Sequence, residues 1–222
     1  MSSWFQNIIE RYQSYFRQGS FLFSYAFSFV AICVSLLVMK YAWLYAGEKA
    51  SNSVTDIILD NIPVFNVEAL FVYGPFVLIG LVVIFLMCRP NWFPFTVKSI
   101  ALFILVRSLF ISLTHLSPFP THIVIPDHEF LYQLSSSGAD LFFSGHTGLP
   151  FLMALIFWDN RVLRYFFIGA SMLFGAVVLM GHLHYSIDVL AAYFITYSIF
   201  RMSELLFKQD FLWFKETPPH HL

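Results

Sequence analysis

Between Phe21 and Phe200 the chain carries six long apolar runs, at about Phe21–Met39, Ala69–Cys88, Phe95–Leu113, Leu141–Trp158, Val162–Met180 and Tyr185–Phe200. A helix needs about 20 mostly apolar residues to cross the hydrocarbon of a bilayer. Inside lipid every backbone N–H and C=O must be satisfied within the segment, which leaves the helix as the natural form for such runs. Composition agrees: 59% of the 222 residues are hydrophobic and 11% charged, against about 45–50% and about 25% in soluble domains. The chain therefore reads as an all-α, polytopic membrane protein with six transmembrane helices. The fourth run differs from the rest, because Ser144, Gly145, His146 and Thr147 lie near its start.

Charge narrows the possibilities further. A net charge of -1 offers no basic field for a phosphate backbone, so nucleic acid is excluded as a partner. Two cysteines, Cys33 and Cys88, cannot make a disulfide framework. Lys and Arg set orientation. With the N-terminus in the cytoplasm, that side holds Arg11, Arg17, Arg89, Lys98, Arg161, Arg164, Arg201, Lys208 and Lys215, and the other keeps Lys40, Lys49 and Arg107. Six spans return both termini to the cytoplasm. Residues 1–20 show no cleavable signal peptide. Within them Trp4, Ile8, Tyr12 and Tyr15 recur at helical spacing, which predicts an amphipathic leader on the membrane surface; the alternative is a frayed polar terminus. The noncytoplasmic connections, about 40–68 and 114–140, are long, and long connections in a compact protein usually carry function or are disordered.

Six of the eight histidines, namely His115, His122, His128, His146, His182 and His184, fall on the noncytoplasmic half. Ionisable groups at membrane depth are costly and mark functional sites. One cluster is Ser144-Gly145-His146-Thr147, and the other runs from Gly181 to Asp188. The fourth and sixth spans run in the same direction, so both clusters are expected at one depth. His184 and Asp188 stand four apart, within reach of each other on one helical face. A carboxylate there holds one imidazole nitrogen as a donor and leaves the other as a nucleophile, while His146 is placed to donate a proton. Each element also has a structural reading: an interfacial histidine, a helix-end hydrogen bond, or a chance Ser-Gly-His. A metal set from His146, His182, His184 and Asp188 is admissible by ligand type, but residues two apart face different sides of a helix. Arg107, near the noncytoplasmic end of the third span, either forks onto phosphate oxygens or snorkels to the headgroups.

These residues resemble the sphingomyelin synthase-like branch of the type 2 phosphatidic acid phosphatase (PAP2) superfamily. Asp140-Leu-Phe-Phe-Ser144-Gly145-His146-Thr147 is similar to that family's third motif, and His182-Leu-His184-Tyr185-Ser-Ile-Asp188 through Thr196 to its fourth. Arg107 through Pro120 echoes the second, and Asp60-Asn-Ile-Pro63 the first. The resemblance covers about residues 55–200, within a six-helix catalytic domain at 21–207 that lies between the leader and a cytoplasmic tail at 208–222. It implies a PAP2-like bundle whose catalytic triad is His146, His184 and Asp188. His184 would attack the phosphorus of a phospholipid headgroup to give a phosphohistidine, oriented by Asp188. His146 would protonate the departing diacylglycerol and then deprotonate a ceramide-like acceptor. Arg107, Asp140, Ser144, Gly145, Thr147, His182 and Tyr185 would line the phosphate and substrate site, with no metal or organic cofactor. The partners implied are a phospholipid donor, a lipid-alcohol acceptor and the bilayer, with the site on the noncytoplasmic face. The Ser-Arg signature of the phosphatase branch is replaced by Val177 and Val178, which favours the synthase-like branch. A phosphatase that lets water reach the same intermediate is the second reading, and a noncatalytic transporter or scaffold the third.

Overall fold

A computed structural model describes residues 3–125 and 141–216. Their helices are α1 (Ser3–Phe16), α2 (Gly19–Lys49), α3 (Glu68–Cys88), α4 (Phe93–Leu113), α5 (Gly145–Ile156), α6 (Arg161–Met180), α7 (Ser186–Leu206) and α8 (Lys208–Lys215), with short 3-10 turns at Leu59–Asn61 and Pro90–Trp92. Five of them, α2, α3, α4 (with the turn before it), α6 and α7, are long and apolar enough to cross a membrane. Phe23, Val77, Leu109, Phe194 and Leu205 face outward along them. An apolar exterior on helices of this length is that of an integral membrane protein.

The fourth expected span is shorter than its apolar composition suggests. Of Leu141–Trp158 only the 12 residues Gly145–Ile156 form helix, about 18 Å at 1.5 Å per residue, against the roughly 30 Å of a hydrocarbon core. Two local features cut it down. Phe142 and Phe143 adopt positive φ (128° and 32°), a non-helical turn ahead of the Ser144 cap. At the other end Phe157 leaves the helical region before Asp159 and Asn160, and Asn160 caps α6 by accepting the Leu163 N–H at 3.1 Å. The first helix errs the other way and runs past Met39, through Lys40, to Lys49.

The α4 helix is the axis of the bundle. Helix α2 packs along it, α5 and α7 close against it, α6 lies on α5, and α3 leans on α6. One core runs through the middle, around Phe95, Phe103, Phe143, Leu152, Phe157 and Phe167. Gly148 is what lets α5 sit so deep: a Cβ there would stand 2.8 Å from the Thr196 hydroxyl of α7 and 2.9 Å from the Phe103 ring of α4. At one end α1 and α8 dock under the bundle, with Tyr15, Phe21 and Trp213 buried together. At the other, the starts of α3, α5 and α7 and the ends of α2, α4 and α6 converge, and both chemistry-bearing clusters lie there.

Candidate active site

Helix α7 begins with its own carboxylate. Asp188, the third residue of the helix, reaches back so that Oδ2 accepts the Tyr185 N–H at 3.1 Å, half of a capping box. The same oxygen lies 3.1 Å from Nδ1 of His184, one residue ahead of the cap. His184 therefore stands just outside the helix, and its contact with Asp188 comes from the entry turn instead of a helical face. Both are buried, at 5% and 0% exposure. With Nδ1–H donating to the carboxylate, Nε2 keeps a lone pair. Neighbouring elements hold this turn from outside. Asp56 accepts the Ser186 N–H at 2.7 Å, and Tyr185 donates its hydroxyl to Ser117 O at 2.8 Å while accepting the Val54 N–H at 3.2 Å.

Helix α5 arrives at the same point. The Ser144 N–H donates to the Asp188 carbonyl at 3.0 Å, and the Ser144 hydroxyl caps α5 by accepting the Thr147 N–H at 3.4 Å. Arg107, 5% exposed on α4, donates Nε–H to the Phe143 carbonyl at 3.2 Å. It packs so closely on Gly145 that a Cβ there would lie 3.2 Å from Nε. The second and third motif echoes thus meet in space. His146 is half-buried, stacks on Phe71 of α3 with ring centroids 4.1 Å apart, and donates Nε2–H to the Phe71 carbonyl at 3.2 Å. His146 bonds to Phe71 of α3 and His184 to Asp188 of α7, so the two imidazoles are held by different helices. They border one apolar cluster, in which Phe71, beneath His146, joins Leu183 and Val189, the neighbours of His184 and Asp188.

His182 is buried at 2% exposure, with Nδ1 2.8 Å from the Thr121 hydroxyl. Its φ of 53° is one of three positive values at non-glycine residues among those described, and all three flank this site. Backbone strain of this sort persists where surrounding structure enforces it, and it clusters at functional positions. Of seven buried side-chain polar atoms without a hydrogen-bond partner among the described residues, three, Thr147 Oγ1, His182 Nε2 and Asp188 Oδ1, lie here. These atoms stand on the first turn of α5 and at the entry to α7, where the two helices meet.

Other expected residues stand elsewhere. Asp140 and His128 lie outside the described residues. His115 donates to Ser112 O at 3.2 Å and His122 to Phe119 O at 2.6 Å, local bonds that leave both at the rim. Among the described residues no three His, Cys, Asp or Glu side chains gather as a metal set. Val177 and Val178 are buried in the apolar cluster that contains Phe71, the ring on which His146 stacks. Asp56 is the residue the sequence hides. Burial pushes its carboxyl up, but hydrogen bonds from Ser186, Ile58 and Leu59 outweigh this and hold it below its ordinary value. Only its place before a tight turn hints at a capping role.

Residues 138–205 match the family model described as PAP2 superfamily C-terminal. No curated protein and no solved structure matches the chain. The matched stretch, under a third of the chain, holds His146, His184 and Asp188 and is similar to the C-terminal part of the PAP2 superfamily.

Proposed function

We propose that the protein is a lipid headgroup phosphotransferase resembling sphingomyelin synthase, moving a phosphocholine- or phosphoethanolamine-type group from a phospholipid to a ceramide or diacylglycerol hydroxyl. The observation that carries this reading is the buried His184–Asp188 pair, 3.1 Å apart, at the point where the cap of α5 bonds to α7. Nε2 of His184 attacks phosphorus as the bond to the diacylglycerol oxygen breaks, and His146 supplies the proton that oxygen needs. In the second half His146 takes the proton of the acceptor hydroxyl, whose oxygen displaces His184 from phosphorus. Imidazoles held by separate helices suit this, since one acts as nucleophile on phosphorus and the other as acid and base on the exchanging oxygens. Arg107 neutralises the equatorial oxygens, and positioning and electrostatics supply most of the rate. Valines at 177 and 178 put that burden on Arg107. The active site faces the noncytoplasmic side in this reading, and six crossings require α5 to span with the help of its flanking residues.

Purified protein given headgroup-labelled phosphatidylcholine with ceramide or diacylglycerol tests it. Label in a new lipid supports transfer. Label released into water replaces transfer with a phosphatase acting through the same histidine. A donor left intact with every acceptor sinks both and favours a noncatalytic membrane protein.

A further inference from the structure

At the end of the bundle away from the histidines, a cleft of about 270 Å³ opens between Arg89, Trp92, Phe157, Asn160, Phe214 and Lys215. It lies roughly the length of α3, 21 residues or about 30 Å, from the His184 site. Two cations, Arg89 and Lys215, and two carboxylates, Asp159 and Glu216, line it. Lys215 pairs with Asp159, and Glu216 accepts the Tyr15 hydroxyl at 3.0 Å. Arg89 is different: among the described residues its guanidinium has no carboxylate or other acceptor, and it lies over the Trp92 ring, 4.4 Å from the centroid.

Three further observations bear on what belongs there. Arg89 follows the last residue of α3, whose outward Val83, Ile84 and Met87 mark the edge of the apolar surface, the level at which lipid headgroups lie. Burial, and after it the like charge of Arg11 on α1, works against the Arg89 cation. An anion in the cleft relieves both. The wall also has the right chemistry: a planar fork lying over an indole can meet two phosphate oxygens, and the rings of Trp92, Phe157 and Phe214 suit a glycerol and the first acyl carbons. Basic pockets between helices at a membrane face recognise anionic headgroups in this manner.

We propose that this cleft binds the phosphate of an anionic phospholipid from the surrounding bilayer, with Arg89 as its main ligand and Arg11 as the second charge. The site is separate from the His184 chemistry and does not depend on it.

The full chain, purified in detergent and exposed to equal amounts of phosphatidylglycerol and phosphatidylcholine, is examined by native mass spectrometry for the lipid it keeps. The proposal expects phosphatidylglycerol to be retained in preference. Arg89→Gln lowers that retention about tenfold or more, the loss of one charge-assisted contact, and Arg89→Lys lowers it less because the charge remains. Arg11→Gln, at a half-buried position on α1, weakens retention by a smaller factor and serves if Arg89→Gln does not fold. Equal retention of both lipids, the behaviour of a snorkelling arginine, overturns the proposal. So does retention unchanged in both glutamine variants. A third overturning result is inorganic phosphate alone raising Tm as much as phosphatidylglycerol does, since the ligand is then free phosphate.

Discussion

Each end of the bundle buries a carboxylate against a basic side chain, and the two are built to different standards. At the α8 end Lys98, 7% exposed, meets Asp210 Oδ2 at 2.6 Å and Ser24 Oγ at 2.5 Å, while Ser24 donates to the other oxygen of Asp210. The ammonium also lies over Phe27 and Phe207. Every polar atom of Asp210 is used, and no residue with positive φ is near. At the α7 end Asp188 uses only Oδ2 and leaves Oδ1 without a partner among the described residues, and the three non-glycine residues with positive φ flank it. A satisfied network holds helices together. A carboxylate that orients a buried imidazole at a strained turn is suited to chemistry instead.

Substitutions sharpen the contrast. His184→Gln removes the nucleophile and should lower headgroup transfer by about 10³-fold or more, with little change in Tm. Asp188→Asn should cost about as much in rate and also loosen the start of α7. On the other side Asp210→Ala strands a buried ammonium and should destabilise the protein by about 3–5 kcal/mol, read by thermal unfolding, while transfer per folded molecule stays unchanged. If Asp210→Ala abolished transfer in folded protein, or His184→Gln unfolded it, the division between holding and reacting would fail.

Gly148→Ala tests the packing that brings the two clusters together. The added methyl collides with Thr196 and Phe103, and overpacking of this kind costs about 1–3 kcal/mol, seen as a lower Tm with a parallel loss of activity. The smallest effect belongs to Asp56→Asn, which weakens a cap on α7 by about 1 kcal/mol. Its pH dependence has a definite sign. The folded carboxyl is held below its ordinary value, so its contribution is present above the unfolded pKa near 4 and is lost as pH falls through the lower folded value. Wild-type Tm should drop more than that of Asp56→Asn on acidification below about pH 4.

What the chain reveals of itself follows the range of each interaction. Helices α3, α4 and α6 begin and end within two residues of their apolar runs, because burial in lipid is a property of the segment alone. The His184–Asp188 pair, four residues apart, is local and can be read from spacing. Lys98 reads as a membrane-edge charge, yet its partner is 112 residues away. Asp56 meets Ser186 across 130 residues and His146 meets Phe71 across 75, and nothing in the sequence pairs them. The short α5 escapes for another reason. Hydropathy counts Phe142 and Phe143 as span, whereas their positive φ turns the chain and aims the Phe143 carbonyl at Arg107.

The central claim is a covalent one, that phosphorus passes through Nε2 of His184. Rapid quench of the full chain with phosphorus-labelled phosphatidylcholine, worked up in alkali, should leave label on the protein that acid removes, that maps to the peptide containing His184 and that is absent from His184→Gln. An unlabelled protein that still transfers headgroups, or label carried by a different residue, would contradict it.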